Sequence, residues 1–416
     1  MFDRVPKERE ILSWGYAVFW ACLTFVTVPY VRDGVDWVEE NWGSGFFTYA
    51  VAACAVAAAG SALYITRRRW SFSSFISLLG VAGVVIYLAF DLASGSSVEA
   101  VHYVQYGTLS ILLFRAFSHR VRDYSIYLAV TITGTLAGMV DETIQWLAPD
   151  RVFDLRDIWL NCKATALVQI GIAAGMQPKF VSGWPSLESW RRLCFLAALT
   201  LGYFGLCLQN TPERISWYSS HVPGLGFIDP NKNIMVEYGY LHGDASTVLF
   251  RSRMTREEML KAASLYKDEG ALIFKKHHAR ERNEDFGDIY SRVDALYIYE
   301  ARVHQIRRDL NVKLASRSED HDKKIVFLSA AYWQNHILEE NFAPLLLGSG
   351  FDWSARQEAD VRQGANINKP YQSRFGTHLI VSYSSSQLAY IFFAVVTFLV
   401  LAGYVFKRMS KGASTA

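Results

Sequence analysis

The stretch YSIYLAVTITGTLAGMVDETIQW, residues 124–146, reads as a helix long enough to cross a membrane, yet it ends in two carboxylates, Asp141 and Glu142. An α-helix rises 1.5 Å per residue, so an apolar run of about 17 to 25 residues spans the hydrocarbon core. Thr131, Gly134, Gly138, Asp141 and Gln145 recur at intervals of three and four and therefore share one face. Gly134 and Gly138 form a small-xxx-small pair that lets another helix come close, which directs the carboxylate-bearing face toward protein. Charge beside hydrocarbon is costly and persists where it is partnered or faces a wet cavity, so this face is a candidate functional site.

Similar apolar runs occupy 11–30, 46–65, 73–92, 100–117, 158–177, 193–208 and 386–406. The expected fold class is therefore a membrane all-α protein of about eight transmembrane helices, with an α+β domain inserted before the last one. The expected segments are an N-terminal pair of spans (1–72), a transmembrane core (73–209), the inserted domain (210–385), and a final span with a basic tail (386–416). A composition of 51% hydrophobic and 19% charged residues supports the membrane class over two or three soluble domains. Its implied partner is the lipid bilayer.

Basic residues set the expected orientation. Arg4, Lys7, Arg9, Arg67, Arg68, Arg69, Arg115, Arg120, Arg122, Lys179, Arg191, Arg192, Lys407, Arg408 and Lys411 fall on one side, whereas the short loops of the other side carry Arg32, Arg151 and Arg156. The positive-inside rule then places both termini in the cytoplasm and residues 210–385 outside. The first apolar run ends in Pro29-Tyr30-Val31-Arg32 rather than a small-residue cleavage site, so it is expected to stay as a span. All five cysteines (Cys22, Cys54, Cys162, Cys194, Cys207) fall inside predicted spans, so the inserted domain is expected to fold without disulfides. A net charge of +3, accounted for by topology, gives no reason to expect a nucleic-acid partner.

Two further polar stripes converge on the Asp141 face. Glu99, His102, Tyr106 and Ser110 share one face of the fourth span, which the short loop 118–123 makes an antiparallel neighbour of the fifth. Asp157, Asn161, Thr165 and Gln169 recur every four residues along the sixth. Glu99, His102, Tyr106, Asp141, Glu142, Gln145, Arg151, Asp154, Asp157 and Asn161 are thus the candidate lining of one outer-leaflet pocket. Arg151, with its planar fork, suits a phosphate headgroup. A network of Arg151 and Arg156 with Asp154, Asp157 and Glu142 would equally pin a loop across three helix ends. Crowded carboxylates also suit acid-base work or a divalent cation.

The run from Asp141-Glu142 through Gln145, Pro149, Arg151, Asp154 and Asp157 to Asn161 is similar to the acidic loop of the VanZ-like membrane family. Glu99, His102 and Tyr106 resemble that family's upstream helix motif, and the resemblance covers roughly residues 75–178. Lys163-Ala164-Thr165 departs from the family pattern, in which a Gly follows the Asn. The family is named for an accessory role in resistance to the glycopeptide teicoplanin. The resemblance implies a multi-pass protein of the bacterial cytoplasmic (inner) membrane acting in a cell-envelope context, and it implies no particular reaction.

In the inserted domain, 232–240 and 245–252 read as strands joined at Leu241-His242-Gly243-Asp244. Thr255-Arg256-Glu257-Glu258 is a capping box that starts a helix over 256–268. Helices are also expected near 288–314, 324–347 and 354–363, and a strand near 375–383. Lys275-Lys276-His277-His278 reads as a strand end or turn. Trp333, Trp353 and the run 342–347 suit a core or, less simply, a partner-facing patch. Glu300 and His304 on one helix and His336 and Glu339 on the next are the metal-ligand candidates, weighed against a solvated helix face. No motif for a cofactor, a phosphate loop or a nucleophile elbow is present.

Two functional expectations follow, and neither decides whether the chain is an enzyme. In the first, the outer-leaflet pocket recognises or acts on an envelope component such as a lipid-linked headgroup. In the second, the chain is a non-catalytic accessory or structural subunit of a larger membrane complex, docking a membrane-protein partner through residues 210–385. A transporter is disfavoured by the lack of an inverted repeat.

Overall fold

The computed structural model describes residues 8–27, 31–69, 71–93, 97–148, 153–280 and 291–413. It divides into two compact units, Met1–Cys207 with Ala389–Ala416, and Leu208–Leu388.

The first unit is helical: α1 (Glu10–Thr27), α2 (Val31–Trp42), α3 (Phe46–Thr66), α4 (Phe72–Leu92), α5 (Val101–Phe117), α6 (Ser125–Leu147), α7 (Leu155–Ile170) and α8 (Leu187–Cys207). Among the described residues, five helices are long and apolar enough to cross a membrane: α1, α3, α4, α7 with the π-helical turn Gly171–Met176, and the C-terminal helix Ser385–Ser410. A sixth candidate is α8 taken together with the short helix that follows it. The predicted fourth and fifth spans form as α5 and α6 but are not among these candidates. α5 is 17 residues long and α6 carries Asp141 and Glu142 near its end, and both helices bury polar residues against their neighbours. Half of the α7 span is buried, against 11% for α1, which places α7 with α5 and α6 inside the unit.

Close approach of α6 and α7 follows from the glycines. A Cβ at Gly134 would lie 2.7 Å from the Thr165 side chain, and one at Gly138 would lie 2.8 Å from Asn161 Cβ. Tight packing at this seam needs no Gly after Asn161, because α6 supplies the small residues. Helix ends are set locally. Ala148, which precedes Pro149, is extended (φ −82°, ψ 144°) and stops α6. The Asp154 side chain accepts the Arg156 backbone N–H at 2.7 Å and starts α7. Gln177, left-handed at φ 47°, ends the π-helical turn ahead of Pro178.

Residues 31–42, expected as loop, form α2. Val31, Val35, Val38 and Trp42 follow helical spacing among Asp33, Asp36, Glu39 and Glu40, a pattern too polar to be read as a span. The Ser97 hydroxyl donates to Glu39 at 3.2 Å, which ties α2 to the Glu99 end of the unit.

The second unit contains α9 (Pro212–His221), β1 (Tyr240–Gly243), β2 (Val248–Ser252), α10 (Arg256–Leu265), α11 (Gly270–Arg280), α12 (Leu296–Arg317), α13 (His321–Asn341), α14 (Ala343–Leu346), α15 (Ala355–Gly364) and β3 (Tyr371–Gln372). The chain then enters α16 (Ser385–Ala413), which completes the first unit from Ala389. β2 pairs antiparallel with β1 and parallel with β3. The first predicted strand is displaced: Leu241, His242 and Gly243 belong to β1, and Asp244 makes the turn by accepting the Ser246 N–H and hydroxyl, each at 2.7 Å. The expected strand at 375–383 is a series of turns with a single bridge, Tyr238 to Ile380. Lys275-Lys276-His277-His278 lies in helix α11 rather than at a strand end. The Thr255 capping box forms as expected, with Glu258 closing it. The helix expected over 324–347 breaks at Phe342, just before Pro344. Trp333, Phe342, Leu345 and Leu346 are buried core, and Trp353 is half-buried beside the Arg308 guanidinium.

The α6–α7 seam makes a direct prediction. Gly138→Ala is expected to lower the stability of the full chain in detergent by about 1–3 kcal/mol through overpacking against Asn161. Gly80→Ala on α4, where a Cβ would meet nothing within 4 Å, is expected to be neutral or slightly stabilising. Thermal unfolding of the two variants side by side checks it.

Candidate functional site

The three polar stripes meet where α5, α6 and α7 pack. Asp141, Glu142 and Asn161 are 2%, 0% and 0% exposed, so these are interior groups. Tyr106 donates its hydroxyl to Asp141 Oδ2 at 3.0 Å. His102 Nδ1 lies 2.8 Å from Asn161 Oδ1, and its ring stacks over that of Tyr106 with centroids 6.3 Å apart. Its other nitrogen is 3.8 Å from Asp157 Oδ2 at the rim, where both side chains are part-exposed. Asp141, Tyr106, His102, Asn161 and Asp157 thus form one connected set drawn from three helices.

Glu142 takes a different part. Its Oε1 accepts the Gln145 amide at 2.8 Å and its Oε2 accepts the Asp154 backbone N–H at 3.0 Å, so the carboxylate fastens the start of α7 to the end of α6. Asp154 caps α7 as described, and Arg156 pairs with Glu99 at 2.9 Å across the same end. Of the expected pocket residues, Glu142, Gln145, Asp154 and Glu99, the last through Arg156, are therefore engaged in holding helix ends. Arg151 and Pro149 lie outside the described residues.

Two polar atoms in the set have no partner among the described residues: Asp141 Oδ1 and Asn161 Nδ2. One is an acceptor and the other a donor, and both are buried. An orphaned buried polar group costs about 1–3 kcal/mol, which an incoming hydroxyl or amide would recover. Deeper in the same seam, Ser110 donates to the Thr165 carbonyl at 3.1 Å and receives the Gln169 amide at 2.8 Å, while Gln169 Oε1 is also unpartnered. The Tyr203 hydroxyl donates to Thr143 at 2.7 Å, joining α8 to the far side of α6. That bond left no trace in the sequence, because Tyr203 stands alone in an apolar run.

The metal-ligand candidates of the second unit do not converge. Glu300 is buried, receiving the Ser252 hydroxyl at 2.5 Å and the Arg253 N–H at 2.9 Å. His304, also buried, bonds Gln334 Oε1 at 2.6 Å. The Gln334 amide donates to Tyr371 and Ser373, so its oxygen accepts and His304 Nδ1 carries the proton. His336 pairs with Glu340 at 3.2 Å, and Glu339 accepts from Asn335. Among the described residues no group of three or more His, Cys, Asp or Glu is placed to hold a metal ion.

A cluster that sequence reasoning missed lies beside Glu300. Burial alone would push the Glu237 carboxyl up, but the 2.6 Å bond to His378 and the Arg253 and Arg292 guanidiniums outweigh it and hold Glu237 below the ordinary carboxylate range. These partners stand 16, 55 and 141 residues away in the chain, beyond any local pattern.

Compared with protein-family models, with curated proteins and with solved structures, the chain matches none.

The buried pair on α12 predicts a pH dependence. Burial, partly offset by the bonds from Ser252 and Arg253, pushes Glu300 from 4.5 up to about 7. The native state therefore binds the extra proton between those values, and stability from this group falls as pH rises through that window. Burial pulls His304 from 6.5 down to about 4, so its contribution has the opposite sign and is lost as pH falls through that window. Relative to Glu300→Gln, the wild-type chain is expected to lose stability from about pH 4.5 to 7, with a slope of at most about 1.4 kcal/mol per pH unit. Unfolding of the full chain in detergent across that range measures it, and a pH-independent difference would contradict it.

Proposed function

We propose that the chain is a VanZ-like membrane protein of eight spans, in which α5, α6 and α8 join the five apolar helices in the bilayer and both termini face the cytoplasm of a bacterium. Its α5–α6–α7 site opens toward the outer leaflet and recognises a polar envelope component, with a lipid-linked headgroup as the ligand class. The observation that carries this reading is the pair of leftover atoms, Asp141 Oδ1 and Asn161 Nδ2, on two helices held together by glycines. A buried donor and a buried acceptor on two packed helices suit sugar hydroxyls or peptide amides. His102 and Asp157, part-exposed at the rim, provide the approach. Arg151 is the phosphate-binding residue in this reading.

The reading is tested on protein purified in mild detergent, with bound lipid extracted and identified by mass spectrometry. Wild-type protein is expected to carry a polar-headgroup lipid. Asp141→Asn retains the acceptor for Tyr106 while changing the group facing the ligand, and Arg151→Ala removes the phosphate fork. Both variants are expected to insert and unfold as wild type does while losing at least about tenfold of the bound lipid, the range of one good charge-assisted contact. Undiminished lipid in both would overturn the proposal.

A second reading, an accessory subunit that docks a partner through residues 210–385, is favoured by one observation. Leu260, Leu265 and Leu272 on α10 and α11 are 57%, 78% and 70% exposed. Under it, wild-type protein pulls down a stoichiometric membrane protein in mild detergent, and Leu265→Ser with Leu272→Ser releases that protein. A clean monomer from wild type would contradict this reading.

A further inference from the structure

At the end of the first unit opposite the Asp141 site, a half-open cavity of about 550 Å³ lies between α1, the α5–α6 connection and α8. That volume is in the range of small-molecule pockets. Its walls are apolar, with Trp14 from α1, Phe117 from α5, and Leu193 and Leu196 from α8, while Arg120 and Arg192 stand at its lining as cations. We propose that this cavity binds one anionic phospholipid, its phosphate held by Arg120 and Arg192 and one acyl chain lying between α1 and α8.

Three observations support that occupant. First, both guanidiniums have donors to spare. Arg120 pairs with Glu10, itself a lining residue, through Nε at 2.6 Å, and Arg192 pairs with Glu188 through Nε at 3.0 Å. The terminal Nη groups of both have no partner among the described residues. Those side chains are 73% and 55% exposed, so the Nη groups face outward where a phosphate would arrive. Second, this end carries exposed aromatic residues of the interfacial type. Tyr124 and Trp184 meet edge to face at 6.4 Å and are 48% and 87% exposed, with Trp190 39% exposed nearby on α8. Exposed Trp and Tyr rings of this kind favour the headgroup level of a bilayer. Third, the cavity is a fixed feature of the packing. Arg115 pairs with Glu8, which also accepts the Ser13 hydroxyl, and Ser13 meets His119 at 3.0 Å, so α1 is tied to α5 beside the cavity. On the other side, Ser189 donates to Asp123 at 2.6 Å and ties α8 to the loop before α6.

A phosphate set between two guanidiniums and an acyl chain set against Trp14 and Leu196 make the cavity selective for lipids that combine both features. A zwitterionic lipid brings its own cation to the mouth, and free phosphate forgoes the apolar walls. Basic segments at a membrane surface attract anionic lipids over zwitterionic ones. The site is independent of the outer-end pocket, since it uses other helices' ends and other residues.

The full-length chain, purified in a neutral detergent, is titrated with phosphatidylglycerol, with phosphatidylcholine of the same chains, and with inorganic phosphate, and bound lipid is counted by native mass spectrometry. Wild-type protein is expected to keep one phosphatidylglycerol at least about tenfold more tightly than phosphatidylcholine, as two guanidinium–phosphate contacts imply. Arg120→Gln with Arg192→Gln is expected to abolish that preference. Arg67→Gln with Arg68→Gln, which removes two exposed charges elsewhere, is expected to preserve it. Leu196→Trp, which fills the apolar wall, is expected to weaken both lipids alike. Equal retention of the two lipids by wild type, loss of preference in the Arg67/Arg68 variant as large as in the Arg120/Arg192 variant, or displacement of the lipid by millimolar inorganic phosphate would each overturn the proposal.

Discussion

The close approach of α6 to α7 at Gly134 and Gly138 is the constraint on which the rest of the first unit depends. With no side chain on α6 at those two positions, Thr165 and Asn161 of α7 press against the α6 backbone, and the turn above brings Asp141 into the same seam. Tyr106 and His102 then reach both helices from α5. Without that approach, Asp141 and Asn161 would stand apart and each would need its own source of hydrogen bonds. In hydrocarbon there is no water to provide them, so packing and polar satisfaction are one problem here.

The same seam separates two roles for its carboxylates. Glu142 spends both oxygens on the protein, one on Gln145 and one on the first residue of the α7 cap. Asp141 spends one oxygen on Tyr106 and keeps the other. Adjacent in sequence, the two residues point a third of a turn apart on the helix, so one closes the loop and the other lines the interior. The ion pair of Arg156 with Glu99 belongs with the first role, because it ties helix ends at the rim. The acidic stretch therefore divides between a carboxylate that fastens helix ends and one that keeps a buried oxygen without a partner among the described residues.

Periodicity made much of this legible. The stripes containing Gly134, Gly138 and Asp141, Glu99 to Ser110, and Asp157 to Gln169 were visible as spacings of three and four, and the helices carrying them form near the expected residues. Which stripe atom bonds which could not be read, because Tyr106–Asp141 and His102–Asn161 are contacts between helices. Helix α2, 12 residues long and acidic, is too short and too polar to read as a span, and only its amphipathic spacing marks it as a helix. In the second unit, the capping box at Thr255 was a local signal and fixed a helix start. The β1 strand was misplaced because Gly243 at φ +92° and the Asp244 turn shift the hairpin by several residues. Buried Glu237 and its arginines were invisible for a simpler reason: a charged residue in a polar segment reads as surface until tertiary partners enclose it.

The account's central claim is that Asp141 Oδ1 and Asn161 Nδ2 await a ligand rather than a protein group. A density map of the full chain in lipid nanodiscs at side-chain resolution tests it most directly. The account predicts Asn161 packed on Gly138, Tyr106 bonded to Asp141, and non-protein density reaching between Asp141 and Asn161 from the His102–Asp157 rim. A map in which the Arg151 guanidinium fills that space and satisfies Asp141, with no non-protein density, would contradict it.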